Sequence, residues 1–209
     1  ELWDKVPASV SRYLKEGGPS RETPKDLSDH HIDNFIIVPG TAACDGAAER
    51  ARELNFETMI LSTMFEGESR ELGGTFAAIA KEILMSGRPL KPPCALIGGG
   101  ETTVKIMSEA GQGGPNQEFA LGASLWIDQI GDVVIVGQDS DGTDGPTDIA
   151  GGIVDNLTVS RARSIGIDIY GALSRHDVTP VLLKLEDAIL TGATGTNVND
   201  IKLMLVMPR

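Results

Sequence analysis

Between Gly98 and Asp148, three glycine-rich, strongly polar blocks each sit beside an apolar run: GGGETT over 98–103, GQGGPNQE over 111–118 and GQDSDGTDGPTD over 137–148. Glycine lets backbone approach a ligand or take positive φ, but it weakens any helix or strand it interrupts. Thirteen of the 25 glycines fall between residues 98 and 152, so that cost is concentrated in one region. Loops that meet at the ends of strands and hold a small polar or anionic ligand account best for such a concentration.

Around these blocks the chain has the makings of an α/β fold. The run Phe35–Val38 is apolar, β-branched and short, as a strand buried on both faces would be. Thr58–Leu61 and Cys94–Ile97 are two more such runs, and the helical stretches Ala42–Leu54 and Gly73–Ser86 separate the three. A β-α-β-α-β order of this kind implies a parallel sheet with helices on its faces. Further on, Thr102–Met107, Val133–Val136 and Lys202–Met207 read as strands, and Asn116–Asp128, Thr158–Ile165 and Ile169–Leu173 as helices. Pro180–Leu190 reads either way. At the start, a short helix over Lys5–Lys15 stops at Gly17-Gly18-Pro19 and gives way to a polar loop. The best internal boundary lies near Pro89–Pro93, which divides the chain into residues 1–90 and 91–209.

Two hundred and nine residues can bury a sizeable core. A formal net charge of −12 argues against nucleic acid and anionic membranes as partners, since both attract basic surfaces. An anionic ligand would therefore need local compensation from helix N-termini, a divalent cation or a few basic side chains. Cys44 and Cys94 lack any CxxC spacing and read as buried free thiols of a reducing cytosol. No apolar run is long enough to span a bilayer. The chain opens at Glu1, in helix-like sequence rather than at a Met, and is read as part of a longer protein.

Each block carries a candidate chemistry beside a purely structural explanation. GGGETT follows a buried strand, where ligands of open α/β sheets lie. A tight strand-to-strand turn is the competing explanation, and Glu101 weighs against it. GGPNQE opens the most convincing helix, whose first-turn amides form an anion site. Asn116 as N-cap and Glu118 as a favourable first-turn charge would explain two of its polar residues, but not Gln117. In QDSDGTDG, the carboxylates of Asp139, Asp141 and Asp144 repel one another unless a cation or donors compensate. The spacing is not that of an EF-hand, although magnesium needs only one or two carboxylates. TGATGTNVND over 191–200 either closes the same cleft or is an ordinary turn. His30, His31 and His176 lack metal-ligand spacing and read as surface residues.

Taken in order, IGGGETTVKI, GQGGPNQEFAL, GQDSDGTDGPTDIAGGIVD and TGATGTNVNDI resemble the MOFRL domain of glycerate 2-kinases over roughly residues 94–209. The preceding FIIVPGTAACDGAAERARELNFETMILST and EGESRELG resemble the end of the Rossmann-like amino-terminal domain of the same enzymes. The resemblance implies a Rossmann-like parallel-sheet segment followed by an α/β domain with a mixed sheet. It also implies phosphorylation of D-glycerate to 2-phosphoglycerate by ATP and Mg2+ in a cytoplasmic enzyme, with homodimer formation left open.

Carried onto this chain, Asp139 and Asp141 would hold magnesium or the glycerate hydroxyls, either of them able to take the hydroxyl proton. Glu101 would assist the cation or orient the substrate. Gly98, Gly99, Gly100, Thr102, Gly114, Asn116, Gln117 and Asp144 would bind substrate. The sequence departs from the family pattern at Pro115, where many relatives have an Arg. Relatives are also about twice as long, so the chain alone is not expected to turn over substrate. A non-catalytic binding module is one alternative. A hydroxypyruvate reductase, as some relatives are labelled, is another, although no dinucleotide fingerprint supports it.

Overall fold

A computed structural model describes residues 3–18, 22–107 and 109–208 of the chain. Two compact units divide it between Ile37 and Val38.

In the first unit a 3-10 turn at Trp3–Lys5 precedes helix α1 (Ala8–Lys15), and the Lys15 ammonium lies 4.9 Å from the Trp3 ring centroid. Pro19 of the expected helix stop, with Ser20 and Arg21 of the loop after it, lies outside the described residues. The strand expected at Phe35–Val38 is not formed, and Phe35, Ile36 and Ile37 are exposed. A strand buried on both faces needs neighbours for its backbone, and the described residues of this unit hold no other strand.

The second unit is built on one six-stranded mixed sheet in the order β1-β2-β6-β3-β4-β5. Its strands are β1 (Glu57–Phe65), β2 (Cys94–Gly100), β3 (Val133–Asp139), β4 (Gly151–Asp155), β5 (Ala188–Ile189) and β6 (Asp200–Val206). Only β1 and β2 pair in parallel, and every other ladder is antiparallel. Helix α2 (Gly40–Glu53) covers one face with Cys44 and Ala48 against Ile97. Helices α3 (Ser69–Ser86) and α4 (Pro115–Ile127) cover the other with Phe76, Ala80, Ile83 and Phe119. Three short helices, α5 (Thr158–Ser164), α6 (Ile169–Ser174) and α7 (Thr179–Leu185), complete the unit. The expected division near residue 90 falls in the α3–β2 connection, within this continuous sheet.

Thr102–Met107 is not a strand: only Thr103 makes a single bridge, to Glu68. Gly100, at φ +125°, turns the chain off the sheet, and Ile106 and Met107 end up exposed. Strand β4, begun by two glycines, was not foreseen. Both cysteines are free and buried, and burial pushes the Cys94 thiol up to about 11. Among the described residues no helix is long and apolar enough to cross a membrane.

Helices α3 and α4 meet backbone to backbone at Gly73, where an added Cβ would lie 2.3 Å from the Phe119 carbonyl oxygen. Neither element can yield without disturbing Phe76 and Phe119, whose rings pack edge to face at 5.1 Å. Gly73→Ala is therefore expected to destabilise the protein by about 1–3 kcal/mol, measured as a lower urea midpoint at unchanged slope.

Candidate active site

Sheet topology brings the expected loops to one edge. Strands β2 and β3 both run antiparallel to β6, which lies between them, so their carboxyl ends share an edge. Asp200, the first residue of β6, is in register with Gly100 on one side and Asp139 on the other. Two strand spacings put Gly100 and Asp139 about 10 Å apart. Directly paired residues project to the same face, so the Asp139 and Asp200 side chains are neighbours.

The other two loops are bonded to this edge. Asn116 and Gln117 donate backbone N–H bonds to the two Asp144 carboxylate oxygens at 3.1 and 2.9 Å, and Asn116 Nδ2 adds a third bond at 3.0 Å. The 191–200 loop locks onto the acidic turn through Thr194 N–H to the Asp141 carbonyl at 3.1 Å, Val198 N–H to Ser140 Oγ at 2.8 Å and Asn197 Nδ2 to Asp141 Oδ2 at 3.2 Å. All four polar blocks therefore meet at one edge of the sheet.

Within the site, several expected binding groups face inward. Gly98, Gly99 and Gly100 end β2 as paired, buried strand residues. A Cβ at Gly98 would strike the Phe65 ring at 2.6 Å, and one at Gly99 would strike Cys44 Sγ at 2.7 Å. Close packing explains this glycine run. Thr102 is buried, and its hydroxyl accepts from Ser69 Oγ at 2.8 Å, which fastens the loop to the start of α3. Gly114 makes room for Asp144, whose carboxylate would lie 2.3 Å from an added Cβ.

Asn116 is not the N-cap of α4. That position is Gly114, and the Asp144 carboxylate, from another loop, takes the first-turn amides. This anion site is filled from within. Gln117 does have a structural role: it is fully buried, donating to the Asp144 carbonyl and Thr147 Oγ1 at 3.1 Å each and accepting from Thr179 Oγ1. His176 is corrected from surface to buried, and its Nδ1 shares a 2.7 Å hydrogen bond with Glu118 Oε1. Trp126, near the end of α4, is exposed.

Four carboxylates remain at this edge of the sheet. Glu101 is exposed, its N–H bonded to the Phe65 carbonyl at 2.9 Å. Asp141 is held below the usual carboxylate range by the Thr143 N–H, the Thr143 hydroxyl and the Asn197 amide. Asp139 is half-buried and accepts the Asp141 N–H on Oδ1 at 3.0 Å, leaving Oδ2 without a hydrogen bond from the described residues. Burial pushes its carboxyl up, the Asp141 amide pulls it down, and Asp200, Asp141 and Asp144 add to the rise. Asp200 is the fourth. Burial also raises Asp144, against the pull of its Asn116 and Gln117 bonds.

Sequence reasoning missed Asp200 and Lys202. Lys202 is 1% exposed, and its ammonium bonds Asp200 Oδ2 at 2.9 Å as well as Asn116 Oδ1. Burial lowers its proton affinity, against the pull of Asp200, Asp144 and Asp139. The signal was available: a Lys in step with Met204 and Val206 along a period-two strand faces the core.

Comparison with known proteins agrees with this architecture. Residues 94–200 match the MOFRL family, and the chain belongs to that family. It is 44% identical over 209 residues to a glycerate 2-kinase of Pyrococcus horikoshii, covering 99% of this chain and 47% of the relative. The crystal structure of a glycerate kinase from Thermotoga maritima is similar at a TM-score of 0.81 and 40% identity, over 97% of this chain and 47% of that one. An Agrobacterium vitis protein bearing the name hydroxypyruvate reductase is 35% identical over 202 residues, 96% of this chain and 51% of its own length. The chain spans about half the length of the relatives it matches.

Proposed function

We propose that this chain is the carboxy-terminal part of a glycerate 2-kinase, a cytoplasmic enzyme transferring the γ-phosphoryl group of ATP to the 2-hydroxyl of D-glycerate. The observation that carries this reading is the gathering of the four polar loops at one sheet edge, where Asp139 presents a free, half-buried carboxylate oxygen. Phosphoryl transfer asks a protein mainly for positioning and for compensation of charge on the phosphoryl oxygens.

In this reading Asp139 Oδ2 accepts the hydroxyl proton as oxygen attacks phosphorus, which its environment favours by raising its proton affinity. Asp141 stays ionised and, through Thr143 and Asn197, holds the acidic turn against the 191–200 loop. Glu101, at the rim, orients substrate. Gly114, Asn116, Gln117 and Asp144 act one layer behind, by fixing the turn that carries Asp139.

The residues present also fit a magnesium ion. Among the described residues no group of three His, Cys, Asp or Glu could hold a metal. Magnesium in phosphoryl-transfer sites usually needs only one or two carboxylates beside phosphate oxygens and water. Asp141, beside Asp139, would offer such a carboxylate, which leaves Asp139 Oδ2 for the hydroxyl proton. When bound, the ion supplies neutralisation of phosphate charge.

A coupled ADP-release assay on the intact gene product tests the reading. Glycerate-dependent ADP formation is expected, with 2-phosphoglycerate as product and no change in nicotinamide absorbance on incubation with hydroxypyruvate. Nicotinamide oxidation without ADP release would replace the kinase reading with the reductase one.

A further inference from the structure

Lys202 is the one lysine among the described residues that is fully buried, and it sits among carboxylates rather than apolar side chains alone. Its ammonium lies 5.5 Å from the Phe119 ring centroid and joins two groups that would otherwise be independent. On one side is Asp200 Oδ2 at 2.9 Å, and on the other Asn116 Oδ1. The bond to Asn116 fixes which way that amide points, with its oxygen to Lys202 and its Nδ2 donating to Asp144 Oδ1 at 3.0 Å. A single chain of contacts, Asp200–Lys202–Asn116–Asp144, thus ties the start of β6 to the start of α4 and to the acidic turn.

Asp200 gains the most from this tie. With Oδ2 anchored, its Oδ1 makes no hydrogen bond to the described residues, and Asp139 Oδ2 likewise makes none. The two side chains come from paired residues of adjacent strands and project to one face. Without the ammonium, Asp200 would be a buried charge with no counterion beside another carboxylate, and its geometry would relax to relieve the repulsion.

We propose that Lys202 is a positioning residue for the reaction assigned above, holding Asp200 so that its free oxygen joins that of Asp139 at the substrate hydroxyl. This rests on the kinase reading. It adds to that reading two residues, Asp200 and Lys202, that the motif blocks alone did not single out.

Separate substitutions in the intact gene product distinguish positioning from plain stability. Lys202→Met is expected to lower the melting temperature by on the order of 10 °C, because it leaves Asp200 buried and unpaired. It is also expected to lower kcat by on the order of 10²-fold, with KM changed far less. Adding Asp200→Asn to it removes the stranded charge, so the double variant should regain most of the melting temperature while kcat stays low. Recovery of kcat along with stability would overturn the proposal, since Lys202 would then serve folding only. Wild-type kcat in Lys202→Met would overturn it as well. As a control, Ile83→Ala, in the core at the far end of α3, should lose stability without loss of kcat per folded molecule. A wild-type protein that releases no ADP with glycerate fails the kinase reading and removes the role assigned to Lys202, whatever the melting temperatures show.

Discussion

Asp139→Asn in the intact gene product is expected to reduce kcat with glycerate by about 10²–10⁴-fold, the range typical of a lost general base. The folded state should change little. Asn keeps the shape of the side chain and can still accept the Asp141 N–H bond now made at 3.0 Å. What disappears is the free oxygen that takes the hydroxyl proton. The wild-type pH profile supplies a second check. Burial raises Asp139 from its ordinary value, and the carboxylates of Asp200, Asp141 and Asp144 add to the rise, against the pull of the Asp141 amide. A base works ionised, so kcat/KM should rise with pH through that raised value, and this limb should vanish in the variant. Wild-type turnover by Asp139→Asn would remove it from the chemistry.

The parts of the site that the sequence revealed are those written in local pattern. Apolar runs located β2, β3 and β6 to within a few residues, and the polar blocks marked the loops at their ends. Because β2 and β3 point the same way, those blocks had to meet. What local pattern could not reveal was which polar groups satisfy one another. Gln117 lacked a structural partner in the sequence because its partners, Asp144, Thr147 and Thr179, lie 27, 30 and 62 residues away. The anion site at the start of α4 looked open for the same reason.

Misread elements have physical causes too. Within Thr102–Met107 the stretch TVKI alternates polar and apolar residues as a strand does. The turn at Gly100 nevertheless carries it away from any pairing edge beyond the single bridge at Thr103. FIIV over 35–38 has the composition of a buried strand, but the described residues of the first unit, which holds Phe35–Ile37, contain no strand to pair with. Lys202 shows the converse. Its period-two phase with Met204 and Val206 points inward while its charge points outward, and the phase wins because Asp200 and Asn116 meet the ammonium.

Asp144→Ala separates the two views of the acidic turn most sharply. If Asp144 bound substrate, as its motif suggested, its loss would raise KM and leave the melting temperature nearly unchanged. The structure gives the opposite expectation. Its carboxylate is 1% exposed and accepts three bonds from Asn116 and Gln117, among them the first-turn amides of α4. Truncation strands those donors away from water and leaves the Lys202 ammonium with one carboxylate fewer nearby. Breaking a buried, charge-assisted cluster of this kind costs about 3–5 kcal/mol. Against a total stability of about 5–15 kcal/mol, that is a large fraction, visible in calorimetry as a melting temperature lower by roughly 6–20 °C. Activity should fall as well, because the turn that aims Asp139 loses its anchor on α4, and that loss should appear in kcat rather than in KM. A variant with unchanged melting temperature and raised KM would return Asp144 to the substrate and leave the N-terminus of α4 open to an anion.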